Sequence, residues 1–209
     1  QSLAAEPYYN ANAIAPTLLA PPPTPHSEAW NRDIDAILAM QKQPDAKELE
    51  HAAAERNMSP EMMAKAVDSA LTREKYPTLY HLLDRVGDTS YAVTQNVKNF
   101  WNTKRPYLSD PRVKALIDAH DNPSYPSGHT AGSYVWAHVL GIVLPKKRDA
   151  FIARAEQIAQ HRVLVGMHYP HDLSGGRELA LLIVGGLLQN ADFQKDRAAA
   201  EAEIKQSNR

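Results

Sequence analysis

Three short segments of this chain gather the side chains most able to do chemistry. The first is Lys98 to Arg105-Pro106, with two cations seven positions apart. On one continuous helix they stand two turns and roughly 10 Å apart on a shared face, where they can grip an anion from two sides. The second is Pro126-Ser127-Gly128-His129, where an apolar helix is predicted to begin. A helix start offers unpaired N–H groups to an anion, Gly128 permits close approach to the backbone, and His129 stands there to donate a proton. The third runs from His161-Arg162 to His168 and Asp172. Pro170 argues against one continuous helix through that pair, so His168 is expected to end one helix and Asp172 to cap the next. At such a corner the carboxylate accepts one imidazole N–H, fixes the tautomer and sharpens the other nitrogen as base or nucleophile. Each segment alone also has a plain structural reading: a solvated basic face, a Ser N-cap, a structural His/Asp pair.

The segments gain weight together. An apolar-faced helix from Ser127 to about Leu144 and a second from about Arg148 to His168 flank the turn Pro145-Lys146-Lys147, so they run antiparallel. From the turn back to His129 is about 23 Å, and forward to Arg162 about 26 Å. The hairpin therefore returns Arg162 and His168 to the end that holds Ser127, Gly128 and His129. Three cations, a helix start and two histidines at one place suit a phosphate group.

Composition narrows the alternatives. The 209 residues carry 23 Lys+Arg against 24 Asp+Glu, which gives no basic excess to attract nucleic acid or an anionic membrane. With no cysteine there is no disulfide framework, thiolate metal site or Cys nucleophile. The longest apolar stretches, Val135–Leu144 and Leu179–Leu188, fall short of the ~20 residues a bilayer requires, so no stable membrane anchor is expected. The chain opens on Gln1-Ser2-Leu3-Ala4-Ala5 without an initiator Met, which is read as a mature protein after signal-peptide removal. A homo-oligomer is compatible with this composition.

The elements that must position these groups are helices. Residues 1–27 are Pro-rich and read as an extended N-terminal arm whose Tyr8, Tyr9, Ile14, Leu18 and Leu19 pack on the body. Residues 28–209 form a single all-α domain, a bundle of seven to nine helices with no alternating strand pattern. Trp30, Ile34, Ile37 and Leu38 mark a helix from Ser27, and Ser59-Pro60-Glu61 opens another. The run Leu79–Val86 is expected to stop at Gly87, with Asp88 capping a further helix that continues to about Lys104. A helix from Asp172 to near Gln189 and a polar closing helix complete the chain.

In these motifs the sequence resembles the type 2 phosphatidic acid phosphatase (PAP2) superfamily, and within it the bacterial class A nonspecific acid phosphatases. The family pattern of Lys, six residues, Arg-Pro, then Pro-Ser-Gly-His, then Ser-Arg, five residues, His, three residues, Asp is matched at Lys98, Arg105, Pro126–His129, Arg162, His168 and Asp172. His161 stands where the family has Ser, and the cysteines common in class A relatives are missing. The resemblance implies a PAP2/vanadium haloperoxidase-like fold and a phosphomonoesterase acting on small-molecule phosphate esters in the bacterial periplasm. It implies that His168 attacks phosphorus to form a phosphohistidine, that Asp172 orients it, and that His129 protonates the leaving group. Lys98, Arg105, Ser127, Gly128 and Arg162 then bind the phosphoryl oxygens, with neither metal nor cofactor.

Alternatives within the superfamily are a vanadate-dependent haloperoxidase and a lipid or diphosphate phosphatase. Outside it stand a metal phosphohydrolase using His120-Asp121 and His171-Asp172 with His161, and a phosphate-binding module without turnover. His26, His51 and His81 are read as surface or partly buried groups without catalytic duty, and His138 as a satisfied core residue. The leaving-group pocket is sought among the Pro-rich arm, the Gly87–Asn96 region and the 107–125 loop.

Overall fold

The computed structural model describes residues 6–119 and 122–207. Gln1–Ala5, and with them the terminus read as a cleavage product, lie outside those residues, as do His120 and Asp121. The chain is all-α: α1 (Glu28–Gln41), α2 (Ala46–Ala54), α3 (Pro60–Val67), α4 (Pro77–Trp101), the single turn α5 (Pro106–Ser109), α6 (Gly128–Val143), α7 (Arg148–Leu164), α8 (Pro170–Gln189) and α9 (Ala191–Ser207). No strand occurs among the described residues. Short side-chain caps start several of them: Ser27, Asp45, Ser59 and Ser127 each accept a backbone N–H of the first turn.

The centre is α6, which packs against α4, α7 and α8. Its Val135, Val139 and Leu140 are fully buried with Leu79, Leu83, Val86, Phe151, Ile158, Leu179 and Ile183. The short 3-10 turn Pro145–Lys147 folds α7 back along α6. A smaller cluster of Trp30, Ile34, Ile37, Val163, Tyr169 and Leu173 seats α1 against the α7–α8 corner. Tyr8, Ile14 and Leu19 are buried in the main core. The Tyr8 and Tyr9 hydroxyls donate to Asp196 Oδ2 and Ile183 O, so this stretch is bound to the carboxyl-terminal helices.

Three element boundaries differ from the sequence reading. Gly87 neither ends a helix nor leaves Asp88 as a cap; α4 runs through it without a break. A Cβ at Gly87 would stand 2.8 Å from the Trp136 ring, so the missing side chain makes room for an indole. That α4 ends at Trp101, earlier than expected, follows from Asn102, whose left-handed φ of 44° terminates the helix three residues before Arg105. The third difference is the corner after α7. The helix stops at Leu164 and turns at Gly166 (φ 73°), where a Cβ would fall 2.3 Å from Lys114 O. Pro170 then takes the first position of α8, where its missing N–H costs nothing, so Asp172 lies inside the first turn and is not the cap.

Candidate active site

Two helix starts meet at the site. The Ser127 N–H donates to Asp172 O (3.0 Å), which ties the beginning of α6 to the first turn of α8. Ser127 is buried, and its Oγ accepts from the Thr130 N–H (3.2 Å) and Thr130 Oγ1 (3.0 Å). That assigns it the cap role and leaves its own hydroxyl proton to donate elsewhere.

Asp172 is fully buried and collects donors. Its Oδ2 accepts from Ser124 Oγ (2.6 Å), His168 Nδ1 (2.9 Å) and the Tyr169 N–H (3.0 Å). Burial opposes its charge, yet the bonds from His168 and His171 hold the carboxyl well below the usual carboxylate range. An ionised carboxylate only accepts, so the His168 proton sits on Nδ1 and Nε2 carries the lone pair. His168 Nε2 lies 3.1 Å from Arg105 Nη1, which also donates to Met167 O (2.8 Å). Burial, with the Arg105 charge beside it, drives the His168 pKa far below the ordinary histidine value despite Asp172. The site thus favours the neutral imidazole over the imidazolium, more than an exposed position would.

The cations reach the site differently from the sequence expectation. Lys98 and Arg105 do not share a helix face: Lys98 is near the end of α4, and Arg105 lies beyond the Asn102 kink at the start of α5. They converge instead on the segment 122–124. Lys98 Nζ donates to Pro123 O (2.5 Å) and Ser124 O (2.9 Å), and Arg105 donates to Asn122 O (2.9 Å) and Asn122 Oδ1 (2.6 Å). Burial and the neighbouring Arg105 lower the Lys98 pKa to about 7, so the ammonium is charged in acid and loses its proton near neutrality.

Lys98, Arg105, Gly128, His129 and His168 line one cavity of about 710 Å³. The same cavity is walled by Asp84, Gly87, Tyr91 and Gln95 of α4, by Arg56 and Met58 before α3, and by Trp136 of α6. Of the three regions considered for the leaving group, the Gly87–Asn96 stretch supplies much of this wall. Asn122 is the contribution of the 107–125 loop, while Pro22, Pro23 and Pro25 of the arm line a different cavity, near His171.

Arg162 is not in the cavity wall. It is buried in α7 and donates from Nη2 to Ala52 O (2.6 Å) and Glu55 Oε2 (3.2 Å). Glu55 also pairs with Arg154 (2.8 Å) and His161 Nδ1 (2.7 Å). His129 Nε2 lies 3.1 Å from Glu55 O and 3.2 Å from Arg56 O; since carbonyls only accept, this nitrogen carries a proton.

Sequence reasoning missed Ser124, α2 and Glu55. The serine left a trace in the Ser-Tyr before Pro126, and Glu55 an indirect one in His161; the Tyr125–Pro126 bond is cis. His161, the departure from the family pattern, spans two carboxylates, Glu55 and Glu48 (Nε2 2.5 Å). Among the described residues no group of three His, Asp or Glu side chains is arranged to hold a metal ion. His171 contacts Asp33 and lies 3.2 Å from Asp172 Oδ1.

His161 also makes stability depend on pH. Burial disfavours its charge, but the bonds to Glu55 and Glu48 prevail and raise its pKa above the ordinary 6.5. A raised folded value means the contribution is complete below the unfolded pKa and is lost as pH rises through the folded one. We expect His161→Ser to cost about 2 kcal/mol at pH 5 and much less in alkali, a narrowing readable from melting curves at both pH values.

The PAP2 superfamily profile matches residues 89–195, which contain all three motifs. The chain belongs to the PAP2 superfamily. A "Non-specific acid phosphatase" of Providencia stuartii is 27% identical over 94% of this chain and 84% of its own length. The protein of that name from Salmonella typhimurium is also 27% identical, over 91% and 80%. The fold is shared with a bacterial vanadium-dependent iodoperoxidase (TM-score 0.62, 18% identity, 80% of this chain and 52% of that one). It is shared too with a transmembrane PAP2-type phosphatidylglycerolphosphate phosphatase of Bacillus subtilis (TM-score 0.52, 19% identity, 77% and 87%). In this chain no described helix is long and apolar enough to cross a membrane.

Proposed function

We propose that this PAP2 protein is a metal-independent acid phosphatase that hydrolyses small-molecule phosphomonoesters through a phosphohistidine. The observation that carries the reading is His168: a buried neutral imidazole, its Nδ1–H bound to Asp172 and its Nε2 at the cavity. Lys98, Arg105 and the Gly128 N–H, which line the cavity, hold the phosphoryl oxygens with the positive end of α6 behind them, and Arg162 and the Ser127 hydroxyl, buried beside the cavity, complete the cradle when phosphate enters.

His168 Nε2 forms a bond to phosphorus as the bond to the ester oxygen breaks. Arg105 Nη1 must exchange Nε2 for a phosphoryl oxygen as this happens. The leaving alkoxide takes a proton from His129. Because Nε2–H of His129 is committed to two carbonyls, that proton comes from Nδ1 of the imidazolium, which favours acid pH. Water then attacks phosphorus, returns a proton to His129 and breaks the P–N bond, releasing phosphate and restoring His168. An alcohol in place of water gives phosphotransfer.

Acid operation suits two groups at once: the depressed His168 pKa favours its neutral form, and Lys98 stays charged below about pH 7. The whole-chain similarity to two acid phosphatases supports the same reading, and we place the enzyme in the periplasm. The test is hydrolysis of p-nitrophenyl phosphate in excess EDTA. Turnover that is inhibited by vanadate and declines above about pH 7 is expected. No turnover, or turnover abolished by EDTA and restored by a divalent metal, overturns the proposal. Turnover of lipid phosphates or diphosphates in preference to soluble monoesters overturns the substrate class, and fractionation of the native host tests the compartment.

A further inference from the structure

The carboxyl-terminal turn of α2 touches two proposed phosphate-site residues at once. Arg162 donates from Nη2 to Ala52 O and to the Glu55 carboxylate. His129 Nε2 donates to the carbonyls of Glu55 and Arg56. The α2 turn thus bears on one residue from α6 and one from α7, although it lies some 70 to 110 positions away in the chain.

Glu55 is 1% exposed and is the anion at the centre of this turn. Its Oε2 meets Arg162 Nη2 (3.2 Å) and His161 Nδ1 (2.7 Å), and its Oε1 pairs with Arg154 Nη1 (2.8 Å). Burial opposes the charge, but His161, Arg154 and Arg162 together hold the carboxyl below the usual range. Arg162 has only one nitrogen engaged: Nε and Nη1 are buried and have no hydrogen-bond partner among the described residues. A guanidinium anchored at Nη2 by a carboxylate and a carbonyl presents those two donors in a fixed plane.

We propose that Glu55 is a positioning residue for the phosphoryl-transfer site: it acts through Arg162, orienting the Nε and Nη1 donors toward the phosphoryl oxygens. His161 belongs to the same device. Where the family pattern has Ser, this chain places an imidazole that shares Glu55 Oε2 with Arg162 and links that carboxylate to Glu48. The inference rests on the acid phosphatase reading, and deepens it by assigning a residue outside the three motifs.

The test compares wild type with E55Q, R162A and the E55Q/R162A double variant. Each is characterised by melting temperature, by kcat and KM for p-nitrophenyl phosphate, and by calorimetric affinity for orthovanadate. E55Q keeps the shape and removes the charge. We expect kcat and orthovanadate affinity each to fall about tenfold, the scale at which a loosened supporting contact is felt. The double variant should be no worse than R162A alone, because Glu55 acts only through that side chain. Losses that add in the double variant, or a lower melting temperature with kcat and orthovanadate affinity intact, overturn the proposal.

If E55Q does not fold, E55D, which keeps the charge and withdraws it by one methylene, is used in the same cycle. A smaller loss absorbed by R162A supports the proposal, and an unchanged kcat and affinity overturns it. A wild-type chain that binds orthovanadate without turnover overturns the assigned activity but not the Glu55 contact, which the binding arm still reads. A chain that does neither overturns both.

Discussion

His168→Ala is expected to lower kcat for p-nitrophenyl phosphate by roughly 100,000-fold, because the covalent step loses its nucleophile. Nothing in the cavity substitutes for it. Lys98 is charged in acid, and its Nζ is turned to two carbonyls. His129 is committed at Nε2 and is placed to give a proton. Acid-labile, base-stable phosphate should be trapped on the wild-type protein after quenching with labelled substrate, and none on H168A. Label on H168A would move the covalent step to another residue. A loss of only tenfold would reduce His168 to an accessory role and point to direct attack by water.

Asp172→Asn separates orientation from binding. The carboxylate fixes the His168 tautomer by accepting at Oδ2, where Ser124 and the Tyr169 N–H also donate. An amide facing the ring with its NH₂ group forces the proton to Nε2, the atom that must attack. We expect kcat to fall about a thousandfold. Orthovanadate affinity should be kept or increased, since a negative charge behind the oxyanion site has been removed. Weaker orthovanadate binding in parallel with kcat would show that Asp172 supports the cradle as a whole.

The all-α class was legible because the long apolar faces of α4 and α6 repeat at helical spacing, and the Pro145 turn dictates an antiparallel pair. Ser127 as a cap was legible from its place before an apolar run. What failed was local backbone geometry. Nothing in a sequence says that Asn102 adopts a left-handed conformation, so Lys98 and Arg105 were placed on one helix and in fact converge around a loop. Gly87 was read as a stop because glycine ends helices more often than it accommodates an indole. Glu55 was invisible for a different reason. Its importance comes entirely from tertiary partners on α7, and the motif reading assigned Arg162 to phosphate without asking what holds the arginine. The His161 substitution was the one hint, and its explanation lay 106 positions away.

Gly87 bears on the shape of the cavity as well as on the packing of α4 against α6. A methyl group there would meet the Trp136 ring at 2.8 Å, and both residues line the cavity. A side chain at 87 is therefore accepted only where the indole at 136 shifts or is replaced. Across homologues they should change as a pair, with bulk traded from one helix to the other. Where that exchange has occurred, the catalytic groups can stay as they are while the cavity wall between α4 and α6 changes shape.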